Sequence, residues 1–221
     1  MGDDLTGDTR RALSRQWIKA NVLGGVAYAA AIFANSLIAS LLWTEAGYTT
    51  VALAMVAVAS VVTQSFGFVV LGYLTGVVLR RKLPLLPLRA WLILHGLIGA
   101  VLGLLIGAVV SIVGNELDTR EPDDLFVLPA LLIAVGILGA LSGGALGGFQ
   151  ALVLRRTAKG LKSWIGYSSL AGMVLMVMVP IDFYGPASGL VRELLDAVAV
   201  ILGAAAGAFI MLPALHRLAP R

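Results

Sequence analysis

The sequence predicts an all-α integral membrane protein. Six transmembrane helices are expected, arranged as three parallel two-helix repeats within one membrane domain spanning residues 1–221. Three observations carry this expectation. The chain is 59% hydrophobic and only 13% charged, so it lacks the polar residues needed to cover a water-facing surface. Six apolar runs, near 17–43, 50–79, 91–114, 126–154, 164–181 and 194–214, are long enough to cross a hydrocarbon core, which takes roughly 20 helical residues. Three of the four tryptophans also head one and the same residue pattern.

Residues 1–16 form a polar tail, with three aspartates followed by Arg10, Arg11 and Arg15. The apolar run after Trp17 is too long for a cleaved leader and reads as a span that stays. Trp17 and Trp43 bracket it as interfacial anchors, and Lys19 can snorkel from one turn inside. The second run, 50–79, is longer than the membrane is thick and must tilt or project. Pro84 and Pro87 in the turn RRKLPLLPLRA then end one helix and delay the next. Spans three and four carry small residues every four positions: Gly99, Gly103, Gly107 and Ser111, then Gly139, Gly143 and Gly147 beside Ala140, Gly144 and Gly148. Gly72 with Gly76, and Gly203 with Gly207, extend the habit to spans two and six. Twenty of 26 glycines fall inside the expected spans. Each costs about 1 kcal/mol of helix propensity against alanine, and close helix approach in lipid is the usual compensation. No proline falls at mid-span, so the broken helices of many secondary transporters are not expected. A 215–221 tail closes the chain.

The charges set the orientation. Fourteen of sixteen Lys and Arg lie at the N-terminal segment, the 80–90 turn, the 155–163 turn or the C-terminal tail, and nine of twelve acids lie in the opposite connections. Arg80, Arg81, Arg155 and Arg156 therefore read as topology determinants that also meet anionic lipid headgroups, with both termini cytoplasmic. This distribution accounts for the formal charge of +4 without nucleic acid. With no cysteine, thiolate chemistry and disulfides are excluded.

Aligning Trp17, Trp91 and Trp164 reveals the repeat, at approximately 10–81, 82–156 and 157–217. A basic residue precedes each by two positions (Arg15, Arg89, Lys162). A polar residue follows by four (Asn21, His95, Ser168) and glycine by eight (Gly25, Gly99, Gly172). At helical spacing these lie on nearly one face. Facing a common axis, Asn21, His95 and Ser168 would form a polar ring at the inner mouth of the bundle; the alternative is a local bond for each. Gln64 and Gln150 are further candidates for the polar interior, read first as interhelical hydrogen-bond formers.

The spacing Gly147, Gln150, Leu154-Arg155-Arg156, Trp164-Ile165 resembles a repeated G-x-x-Q-x-x-x-L-R-R … W-I segment of bacterial multi-pass membrane proteins that have no assigned activity. In the first copy Thr75 stands at the glutamine position. The resemblance implies a membrane fold and brings no reaction; the expected location is the bacterial inner membrane. Ser142-Gly143 is superficially similar to the G-x-S-G of rhomboid proteases, but Ala140 replaces the first glycine and the sixth span has no histidine base. No catalytic residue, cofactor or metal is expected. The expectation is a non-enzymatic scaffold, assembly factor or accessory subunit, in contact with lipid and with other membrane subunits or copies of itself. The alternative is a channel or carrier for a small neutral or apolar solute.

Overall fold

The computed structural model describes residues 7–46, 49–113, 127–178 and 190–221. Their architecture is all-helical. Six helices run α1 (Gly7–Ala46), α2 (Thr50–Lys82), α3 (Leu88–Val113), α4 (Val127–Leu154), α5 (Leu161–Met178) and α6 (Leu190–Arg217). Four stretches are long and apolar enough to cross a membrane: Gly7–Leu42, Val51–Lys82, Leu88–Leu105 and Leu194–Arg217. The chain is thus a multi-pass membrane protein in its composition and helix lengths. Gly114, the loop NELDTREPDD and Pro180 lie outside the described residues. So do the side chains of Trp43, Ser111 and Arg192 and the surroundings of Gly107.

Local chemistry sets the helix ends. Thr49 caps α2, its hydroxyl accepting from Ala52 N–H at 3.2 Å. At the other end Leu83 N–H closes on Leu79 O at 2.7 Å, after which Pro84 and Pro87 forbid a further helical turn. α1 differs from expectation. It begins at Gly7, ten residues before Trp17, and Leu13 is buried. Much of the expected polar tail is therefore helix. α6 likewise continues through Pro213 to Arg217.

The helices close into a ring in chain order, each packed on its chain neighbours and α6 on α1; α3 and α4 make the sparsest of these contacts among the described residues. Small residues bring the pairs together. A Cβ on Gly99 would lie 2.6 Å from Gln64 O, and one on Gly103 2.6 Å from Ser60 O, so α3 rides directly on the α2 backbone. Gly172 on α5 meets Gly139 and Gly143 on α4, and a Cβ on Gly147 would lie 2.6 Å from Ser168 Cβ. Gly25 on α1 meets Ala204 on α6, where a Cβ would lie 2.7 Å from the alanine methyl. Gly25, Gly99 and Gly172 thus all face the even helix that precedes theirs around the ring.

A short antiparallel pair, β1 (Ala158–Lys159) with β2 (Ala219–Pro220), ties the end of the chain to the α4–α5 turn. Arg221 N–H adds a bond to Thr157 O at 3.1 Å. Gly160 makes this possible. Its φ of 84° is left-handed, and a Cβ there would come within 2.5 Å of Arg217 O.

The glycines separate into two groups by what they touch. Gly103→Ala pushes a methyl into the α2 backbone and is expected to cost about 1–3 kcal/mol as overpacking. Gly148→Ala, with nothing within 4 Å, is expected to be neutral or to gain up to about 1 kcal/mol of helix propensity. Thermal unfolding midpoints of the two variants in one detergent check the pair. Equal shifts would remove the contact account.

Candidate functional site

The densest buried cluster sits at the basic end of the ring, where the tryptophans converge. Trp17, Trp91 and Trp164 are 3%, 1% and 1% exposed. Trp17 meets Trp164 edge-on at 5.9 Å between centroids, and Trp164 meets Trp91 at 6.5 Å. These are core residues, and this corrects the expectation of interfacial anchors for Trp17. The reason is geometric: Trp164 packs against both of the others and all three indoles are buried, so their apolar area is covered by protein. Around them close Leu79, Leu154 and Leu215, all three fully buried, with Leu13, Leu83, Leu86, Ala158 and Leu218. Leu79 and Leu154 are the leucines of the two Leu-Arg-Arg triplets, and Leu215 precedes His216-Arg217. The basic residues themselves splay outward. Arg80, Arg81, Arg155 and Arg156 are exposed, free to meet headgroups or water.

The polar candidates occupy seats between helices. His95 is buried against Gly72 on α2, where a Cβ would lie 2.6 Å from the imidazole Cγ. Ser168 is buried against Gly147 on α4 in the matching place, seven residues before the triplet leucine. The α6 position at that place is Ala208, and Asn21 is only half-buried. No hydrogen bond joins any two of Asn21, His95 and Ser168. Asn21 Nδ2 donates to Trp17 O at 2.9 Å, one turn back on its own helix. Ser168 Oγ donates to Met211 Sδ at 3.6 Å. His95 Nδ1 lies 2.8 Å from Trp91 O, and its Nε2 lies 3.3 Å from Gln150 Nε2. Asn21 thus bonds within its own helix, while His95 and Ser168 also bond to neighbouring helices.

Gln150 links two neighbouring helices to its own. Its Oε1 accepts from Trp164 Nε1 at 2.9 Å while its amide nitrogen faces His95. Trp91 Nε1 donates to Gly72 O at 2.9 Å. The Trp17 Nε1 donor is also buried, but it has no partner. Four residues before the triplet leucine stand Thr75, Gln150 and, in α6, Met211. Met211 thus stands at the position from which Gln150 serves Trp164, and a thioether accepts only weakly. Deeper in the bundle Gln64 is 2% exposed and its Oε1 has no partner, one turn from the Ser60–Asn35 hydrogen bond of 3.2 Å.

No protein-family model, curated protein or solved structure matches the chain. Its own geometry therefore carries the reading. Among the described residues no group of three or more His, Asp or Glu could hold a metal ion. Ser142 is exposed on α4. His216, the other histidine, lies far from it in the fold, bonding through Nε2 to Ser14 Oγ at 3.0 Å. Asp196 lies in α6 at an intermediate exposure.

Several contacts at the basic end had no reading in the sequence. Lys82 Nζ donates to Leu215 O and His216 O at 2.6 and 3.0 Å, capping the α6 carbonyls that have no helical partner. Arg217 lies over the Tyr167 ring at 5.7 Å. The available signals were faint: an apolar Leu218 just past the helix end, and a glycine at 160 in the turn after the second Leu-Arg-Arg triplet.

Supplying the absent acceptor should stabilise the bundle. Met211→Gln places an amide oxygen beside Trp17 Nε1 and is expected to raise stability by about 1 kcal/mol, whereas Met211→Leu should not. A chemical-denaturant or thermal midpoint in detergent reads the difference. A gain from leucine equal to that from glutamine would show that packing, not the indole bond, is responsible.

Proposed function

We propose that the protein is a six-span protein of the bacterial inner membrane, built of three parallel two-helix repeats with both termini cytoplasmic. Its proposed role is non-enzymatic: a scaffold, assembly factor or accessory subunit of a membrane complex. The carrying observation is the closure of the basic end, where Trp164 packs against both Trp17 and Trp91 and three fully buried leucines fill the space a solute path would need. The repeat reading is supported by equivalent contacts of Gly25, Gly99 and Gly172 and by the equivalent seats of His95 and Ser168. Charge asymmetry supports the orientation. Lipid-facing apolar residues on every helix, among them Leu41, Phe66, Leu97, Leu141, Leu170 and Phe209, suit contact with lipid and with other subunits or copies of the chain.

A channel or carrier for a small neutral solute has one observation in its favour. Gln64 offers a buried acceptor with no partner beside Ser60 and Asn35, and a bound solute could satisfy it.

Extraction from native membranes in mild detergent is expected to bring partner subunits down in stoichiometric amount. Purified protein that alone moves a solute across liposomes would reverse the ranking of the two readings. A reporter fused after Arg221 should be active only when it is a cytoplasmic one. Activity of an exported reporter there would overturn the orientation.

A further inference from the structure

The buried polar groups between α3 and α4 form a chain with one direction. An indole nitrogen can only donate, so the Gln150 atom 2.9 Å from Trp164 Nε1 is the amide oxygen. The Gln150 amide nitrogen is thereby turned to His95 Nε2, at 3.3 Å. That nitrogen also only donates, so His95 Nε2 accepts and carries no proton. The single proton of the ring sits on Nδ1 and is donated to Trp91 O at 2.8 Å. Trp91 continues the series by donating from Nε1 to Gly72 O at 2.9 Å. Hydrogen bonds therefore run from α5 through α4 and α3 to α2, with each donor and acceptor used in one sense.

We propose that this relay is a proton-sensitive latch on the α3–α4 seam, closed while His95 is neutral in its Nδ1–H form and released when Nε2 takes a proton. The release follows from counting donors. A protonated His95 carries N–H on both ring nitrogens, so Nε2–H meets the Gln150 amide N–H₂. Turning the amide to offer its oxygen to His95 removes the acceptor of Trp164 and sets N–H₂ against the indole N–H. Either arrangement leaves a buried donor without a partner, and such a group is costly in a low-dielectric interior.

The seam has little else to hold it. Among the described residues this is the one hydrogen bond between α3 and α4, and these helices make the sparsest contact of any neighbours in the ring. The α2–α3 and α4–α5 pairs, by contrast, are locked by backbone contacts at Gly99, Gly103, Gly143 and Gly172. Movement released at His95 therefore falls on the α3–α4 boundary. The groups facing the imidazole are neutral on every element packed against it: Gly72 from α2, Trp91 from its own helix and Gln150 from α4. No fixed counter-charge among them compensates an added proton. A membrane surface turning acidic is the stimulus this device would sense.

Nitrogen-15 NMR of the histidine rings and tryptophan indoles in lipid nanodiscs, from pH 8 to pH 4.5, tests the latch. At pH 8 His95 is expected in the Nδ1–H tautomer. On acidification the Trp164 indole N–H should shift with the same midpoint as His95. In Gln150→Glu a carboxylate can accept from both the indole and a protonated imidazole, so His95 should protonate while the Trp164 signal stays in place. In His95→Gln, which titrates nothing at this position, the acid response of Trp164 should vanish. The proposal is overturned by an Nε2–H tautomer at pH 8, or by a His95 that stays neutral to pH 4.5. It is equally overturned by a Trp164 signal that does not follow His95, or by an unchanged acid response in either variant.

Discussion

The meeting of Trp17, Trp91 and Trp164 is the constraint on which the rest of the bundle turns. A helix in lipid satisfies its own backbone, so nothing in its hydrogen bonding decides how it rotates against a neighbour. An indole that must point at two others does decide it. With the tryptophan directed inward, the residue four positions on falls against the preceding even helix, and the glycine eight positions on meets that helix more deeply. The edge-on ring contacts contribute on the order of 0.5–1.5 kcal/mol each beyond burial. Their larger effect is to fix the rotation of α1, α3 and α5 together, because Trp164 cannot turn without leaving a void beside Trp17 and Trp91.

Once that rotation is set, the polar groups have little freedom. His95 and Ser168 fit over glycines because a larger residue at 72 or 147 would collide with them. Gln150 serves two clients because its position faces both the next tryptophan and the polar residue of its own repeat. The same position in α6 holds Met211, and the consequence is local: Trp17 keeps a buried N–H without an acceptor. The ring is therefore unequal in its bonding although similar in its packing. Its tightest joints are the glycine-backed pairs. Among the described residues its sparsest joint, between α3 and α4, is bridged by one amide.

Much of this was legible in the sequence. Apolar runs located the helices, and prolines 84 and 87 located a turn. The glycines at 25, 99 and 172 were recognisable as one contact surface, since a four-residue period on a helix has few other uses. The place of Trp17 was misread, because composition cannot separate an indole that faces a headgroup from one that faces another indole. The start of α1 was also misread. Residues 7–16 look polar as a set, yet Leu13 alone reaches the apolar cluster and the surrounding charges remain exposed along one side. The β1–β2 pairing rests on two residues per strand, too few to leave a periodic signal. The capping of α6 by Lys82 joins positions 133 and 134 residues apart, which only the closed ring brings together.

The fully buried leucines at 79, 154 and 215 carry a consequence for the energetics of the membrane itself. A charge moved across a potential of 100 mV exchanges about 2.3 kcal/mol with the field, and a wetted path through a helical ring would let protons and ions run that drop freely. A cluster of indoles and leucines offers such ions no ligands and no water to replace their hydration shells. On the proposed scaffold reading, a ring sealed in this way would hold its voltage like an insulator. A cell could carry many copies of it without draining the gradient that powers its other membrane machinery.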